Sequence, residues 1–292
     1  MEMPAKKPAN KWLLGLGIGC GGLVVLGIII AIFGYFFVRN MSQGFRDSQG
    51  MMKTLEEKHG RAESYVPHPQ GAIGADRIET FLAVREAMAP ARKSLEESLD
   101  ILVKSHDAKG EHGRSAETVF QALRTGVGMV PQIADLFKSR AQALLDKEMG
   151  VGEYAYLYVI AYYSWLKKSP DEGPGVRTLG ADFAPAESAD KDALEMSRDM
   201  TLRRVHRMVL PMLENQLARL KGGAGGGGRP AGDGWASALE AEVKAMAVDR
   251  FRIPWQDGLP DTLERPLRPF RERLEAAYSR MTNLFELSLE RR

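Results

Sequence analysis

Residues 153–168 read Glu-Tyr-Ala-Tyr-Leu-Tyr-Val-Ile-Ala-Tyr-Tyr-Ser-Trp-Leu-Lys-Lys, with five tyrosines and a tryptophan inside twelve residues. As a strand this segment would need a partner, and no second strand-like stretch exists in the chain. As a helix it is apolar on nearly every side, so it must be touched from several directions. It is too short and too rich in hydroxyls to cross a bilayer. The helical reading makes the fold all-α, with this segment at its centre. Buried tyrosine hydroxyls need partners, so polar groups must converge on it.

Working outward, helical stripes lie on both sides. Phe81, Met88, Leu95 and Leu102 recur every seven residues, with Val84, Ala91 and Leu99 between them. Asp76 with Glu79 three residues on has the form of a capping box that starts this helix. Pro90 should kink or split it, because proline lacks an N–H and crowds the carbonyl four residues back. A second stripe runs from Val119 through Leu123, Val127, Val130, Ala134, Phe137 and Ala141 to Leu144, with an expected interruption near Gly126, Gly128 and Pro131. A third runs through Leu202, Val205, Met208, Met212 and Leu217, with a kink expected at Pro211. Between the centre and the third stripe, residues 168–191 read as a long loop. Residues 222–234 hold eight glycines and read as a flexible linker. After it come a short helix over 235–248, an apolar plug at Phe251, Ile253, Pro254 and Trp255, and one last helix from Thr262 to Phe285. Pro266 and Pro269 fall in the opening turns of that last helix. Two helices alone make a marginal core, so residues 235–292 are expected to pack back onto the tyrosine-rich helix.

The amino-terminal end has a different character. Residues 13–38 form an uncharged run of 26 residues. As a helix it would reach about 39 Å, against about 30 Å of hydrocarbon in a bilayer. Lys6, Lys7, Lys11 and Trp12 flank it on one side and Tyr35, Phe36, Phe37 and Arg39 on the other, which is interface composition. The run is too long for a signal-peptide core and lacks a small-residue cleavage site, so it reads as an uncleaved signal anchor. The basic residues on its two flanks nearly balance. The nearly acid-free first flank favours the amino terminus inside and the large domain outside. Gly15 with Gly19 and Gly17 with Gly21 form two overlapping small-xxx-small pairs, the spacing through which spanning helices form a homodimer. Cys20 lies between them.

The expected organisation is thus a basic tail (1–12), a spanning helix (13–38), a juxtamembrane stalk (39–75) and a soluble bundle of five to seven helices (76–292). Beyond the tail, 37 basic residues face 37 acidic ones, so no overall basic field exists to attract nucleic acid. Cys20 is the single cysteine, which excludes disulfides, cysteine metal sites and a thiol nucleophile from the soluble part.

Motifs for chemistry are weak. Gly17-x-Gly19-x-x-Gly22 and Gly223-x-Gly225-x-x-Gly228 match the dinucleotide fingerprint, but neither follows a strand, so neither is expected to hold a cofactor. The turn with His106, Asp107, Glu111 and His112 lacks pre-ordered ligand spacing and carries Lys109 and Arg114, so it reads as a solvated turn and not as a metal site. Arg198, Arg203, Arg204, His206 and Arg207 form a basic cluster on the third stripe's helix, read chiefly as a solvated face. Asn40-Met41-Ser42 is a glycosylation sequon pressed against the expected membrane. No hydrolase, metalloprotease or nucleotide-binding motif occurs, so no catalytic, cofactor or metal residue is expected. The leading expectation is a non-enzymatic envelope component that binds another protein. The alternative is a tethered small-molecule or lipid sensor with a groove lined by Tyr154, Tyr158, Tyr162 and Trp165.

Overall fold

The computed structural model describes residues 48–107, 116–173, 176–179, 182–185, 191–222 and 233–288. The anchor, its glycine pairs Gly15/Gly19 and Gly17/Gly21, the sequon, the turn at 108–115 and linker residues 223–232 lie outside the described residues. No helix among the described residues is long and apolar enough to cross a membrane.

The described chain is helical apart from one small hairpin. Helix α1 covers 48–59, and a 3-10 turn follows at Ala62–Ser64. Helices α2 (Ala75–Ala87) and α3 (Ala89–Asp107) are separated at Met88. This is the expected effect of Pro90, which is tolerated in the first turn of a new helix and not inside an old one. Helix α4 (Ala116–Asp146) packs along α3. It runs unbroken through Pro131, so the interruption expected there does not occur. Helix α5 (Val151–Tyr158) continues without a break as a π-helix over Val159–Trp165. Helix α6 (Lys191–Lys221) passes through Pro211 and packs against α7 (Asp233–Val248).

Four further expectations change. Residues 168–191 are not all loop, because β1 (Val176–Leu179) pairs antiparallel with β2 (Asp182–Pro185), Val176 opposite Pro185 and Leu179 opposite Asp182. Helix α2 begins two residues earlier than Asp76 as N-cap would set it. Gly74 is its N-cap, Asp76 sits in the first turn, and no side chain caps it. Glu79, freed from a capping role, pairs with Arg273 at 2.8 Å. The expected stalk is a packed part of the domain from residue 48 on: Leu55 is fully buried, and Ala62 and Ile73 are also in the core. Finally, the last helix is four pieces: α8 (Asp261–Leu267), a 3-10 turn (Arg268–Phe270), α9 (Arg271–Ala277) and α10 (Asn283–Glu286). Tyr278 is extended, at φ −73° and ψ 139°, which turns the chain away from α9.

The core forms one cluster around α5. Phe81, Leu82 and Met88 of α2 and its end, Leu95 and Leu99 of α3, Val205 and Leu213 of α6 and Leu274 of α9 are all buried in it. Residues after the linker therefore do return onto the tyrosine-rich helix.

Candidate functional site

The interior holds more charge than an all-α core of this size needs. Arg85, Arg92, Arg140 and Glu286 are all buried. Glu286 is the anion at the centre. Its Oε2 accepts from the Tyr154 hydroxyl at 2.8 Å and lies 3.3 Å from Nη1 of Arg85. Its Oε1 faces Nε of Arg92 at 3.9 Å. Arg85 also donates to the Tyr154 hydroxyl at 2.9 Å, closing a triangle.

One carboxylate cannot balance three guanidiniums, and backbone carbonyls supply the rest. The Ala277 carbonyl accepts from Nε and Nη2 of Arg85 (3.1 and 2.7 Å) and from Nη1 of Arg92 (2.8 Å). Arg140 donates to the carbonyls of Phe285, Glu286 and Ser288. The Ala277 and Glu286 carbonyls end α9 and α10, where last-turn oxygens lack partners within the helix, and Ser288 lies just beyond α10. Aromatic faces add to the balance: the Arg85 guanidinium lies 5.2 Å from the Tyr158 ring and 5.1 Å from that of Tyr162, and Arg140 lies 5.1 Å from Phe137.

The ionisation states follow from this arrangement. Burial alone would raise the Glu286 carboxyl, but Arg85, Arg92, the Tyr154 hydroxyl and Arg140 outweigh it and hold it below the usual carboxylate range. Burial would lower the Arg85 guanidinium, and Glu286 with the surrounding tyrosines raises it instead. Burial raises the hydroxyls of Tyr154, Tyr158 and Tyr163, so all three are neutral donors.

A second knot lies beside the first. Oδ1 of Asn283 accepts from both Tyr158 (2.8 Å) and Tyr163 (2.9 Å), and its Nδ2 donates to the carbonyls of Ser169, Pro170 and Glu172. The π winding makes this two-tyrosine contact. With i→i+5 hydrogen bonds, residues five apart share a face, which residues five apart on an α-helix do not. The i→i+5 spacing is seen directly in the Leu166 N–H to Ala161 carbonyl bond at 2.9 Å.

The sequence-predicted groove residues are therefore placed as follows. Tyr154, Tyr158 and Tyr162 face the buried knots and are essentially inaccessible. Trp165 is half-buried at the end of the π-helix with Arg271 over its ring at 5.5 Å. An open cleft of about 260 Å³ lies on another side of α5, at Glu153, Tyr156 and Leu157, and faces the chain from Tyr65 to Arg77. In it Arg77 clasps Glu153 with Nε and Nη2 at 2.6 and 2.5 Å. That hydrogen-bonded pairing is the main cause raising the Arg77 guanidinium.

The basic cluster of α6 disperses. Arg203 lies over the Phe251 ring, which Arg250 also approaches, Arg204 donates to Ser288 Oγ at 3.1 Å, and the His206 Nε2 meets the Met246 carbonyl at 2.9 Å. The apolar plug is held by Glu242, which accepts from the Trp255 N–H and from Arg252, each at 2.9 Å. This keeps Trp255 at the strained φ of 57° and its ring against Trp235. No cluster of three metal-ligating side chains occurs among the described residues.

Sequence reasoning missed Arg85, Arg92, Arg140, Asn283 and Glu286. One signal was available: Arg85 and Arg92 stand seven apart on the stripe of Phe81 and Met88, so two arginines share an apolar face. The demand of the buried tyrosines for partners was the other. No protein-family model matches this chain, and no curated protein or solved structure shows significant similarity to it.

Proposed function

We propose that this chain is a single-pass membrane-anchored helical protein of a cell envelope, which acts by binding another protein and not by catalysis. The observation that carries the reading is the uncharged run of residues 13–38 between aromatic and basic flanks. The packing after it adds support. Helix α1 is already part of the core at Leu55. Only residues 39–47 separate the run from α1, and nine residues span at most about 32 Å. The domain is then held close to the bilayer surface, as suits an envelope scaffold. The buried charges fit a structural role, since Glu286 is enclosed and its partners hold the chain's own carboxy-terminal residues.

In this reading the amino terminus is inside, the helical domain is extracytoplasmic, and the glycine pairs allow a homodimer in the membrane. Protease added to intact cells or spheroplasts should digest the domain, and alkaline carbonate should leave the protein in the membrane pellet. Release by carbonate would refute the anchor, and protection of the domain until lysis would reverse the orientation. Oxidative crosslinking at Cys20 should give a dimer band that Gly19→Leu with Gly21→Leu abolishes.

A further inference from the structure

We infer that the cleft between α5 and the chain from Tyr65 to Arg77 binds a small organic carboxylate with an apolar body. This goes beyond protein binding and stands or falls independently of it. The floor of the cleft is apolar, built from Pro67, Ile73, Tyr156 and Leu157. Its polar lining is rich in donors. Arg77 uses Nε and Nη2 on Glu153, and among the described residues its Nη1 has no hydrogen-bond partner. The Tyr65 hydroxyl likewise has none. Burial and the nearby Glu153 raise that hydroxyl, so it is a neutral donor. Nδ1 of His68 accepts from the Gln70 N–H at 3.3 Å, which leaves Nε2 for a ligand.

Among the described residues Glu153 is the one carboxylate in the lining, and both its oxygens are held by Arg77. The exposed Asp76 is not part of the lining. The cleft also reaches the start of α2 at Gly74, where the carboxylate of Asp76 already sits in the first turn, so recognition of a ligand carboxylate rests on Tyr65, Arg77 and His68 and not on the helix end. A ligand that satisfies this wall must bring acceptors, and one that covers the floor must bring an apolar body. The volume of about 260 Å³ lies just below the range of roughly 300–1,000 Å³ usual for drug-sized ligands, which limits the occupant to a small molecule.

The cleft is also pre-formed. Its loop is fixed from behind by Gln216, which donates to the His68 carbonyl at 2.6 Å, and by Trp235, which donates to the Pro69 carbonyl at 2.8 Å. Gly71 sits at φ 75°, and a Cβ there would lie 2.4 Å from the Trp235 ring. A rigid wall loses little entropy on binding.

The test is ligand-observed NMR and calorimetry on the full chain in detergent, with phenylacetate and isovalerate as acids, 2-phenylethanol as the neutral analogue, and inorganic phosphate. Saturable binding of at least one acid is expected, at least tenfold tighter than 2-phenylethanol or phosphate. Tyr65→Phe keeps the ring and the ion pair and should weaken the acid about tenfold, the loss of one hydrogen bond to a charged group. Arg77→Met should abolish binding, and Arg203→Glu, outside the cleft, should leave it unchanged. The inference is overturned if neither acid binds saturably, if the alcohol or phosphate binds as tightly as the acid, or if Tyr65→Phe binds as well as the wild type.

Discussion

Glu286 shows how a single side chain can set the ionisation of a core. Moving a carboxylate out of water is costly, and here the cost is met by Arg85, Arg92 and the Tyr154 hydroxyl. Glu286→Gln keeps the shape and an acceptor for Tyr154 but leaves the guanidiniums without a counter-charge. It should cost about 3–5 kcal/mol, the usual result of removing one partner of a buried pair. The sign of the pH dependence follows from the depressed carboxyl. Its contribution is complete above the unfolded value of about 4.3 and is lost as pH falls below that toward the folded value. Urea unfolding at pH 7 and at pH 3 should therefore show a greater loss on acidification in the wild type than in Glu286→Gln. Equal losses in both would remove Glu286 from the account.

At the scale of elements, the π-helix and the carboxy-terminal segment explain each other. The winding over Val159–Trp165 brings Tyr158 and Tyr163 to the same oxygen of Asn283. Asn283→Ala would leave two buried hydroxyls without that acceptor, at about 1–3 kcal/mol each. Double-mutant cycles with Tyr158→Phe and Tyr163→Phe should each give coupling of about 0.5–3 kcal/mol. An ordinary α-helix would couple only one of the two tyrosines to position 283, and that outcome would contradict the winding. The existence of these elements was legible in the chain: the stripes marked α2 to α4 and α6, and Pro90 marked the break at Met88. Their ends were less so. The last helix reads as continuous from Thr262 to Phe285, yet it stops at Ala277. The carbonyl there is taken by Arg85 and Arg92, which lie almost two hundred positions earlier. Such a stop is a tertiary event and leaves no local signature. The same applies to the start of α2, where Gly74 and not Asp76 is the cap, and to the hairpin of β1 and β2, whose strands are only four residues each. In the candidate site, the demand for polar partners around the tyrosines could be read from composition. The identity of those partners could not, because arginine on a helical stripe also reads as a solvated edge.

For the whole molecule, the tyrosines make folding and alkaline titration a single event. The chain has eight tyrosines, and Tyr35 is the one inside the uncharged run. For the other seven, burial is the leading cause that raises the hydroxyl. A group whose folded value lies above its unfolded value stabilises the fold fully below the unfolded value, here about 10. That stability is lost as pH rises beyond it, because the unfolded chain releases its protons first. Seven such groups act in the same direction, and most of them line one helix at the centre of one core. Opening the core to ionise one tyrosine exposes its neighbours, so the transition should be steep. Tyrosinate absorbance near 295 nm should stay low well past pH 10, then rise in one step that coincides with loss of the helical circular dichroism at 222 nm. Tyr156→Phe, which removes a buried hydroxyl without a hydrogen-bond partner among the described residues, should shift that step little, since six raised hydroxyls remain. If tyrosinate instead forms gradually around pH 10 while the helix signal persists, the tyrosines are open to solvent and the central packing of α5 is wrong.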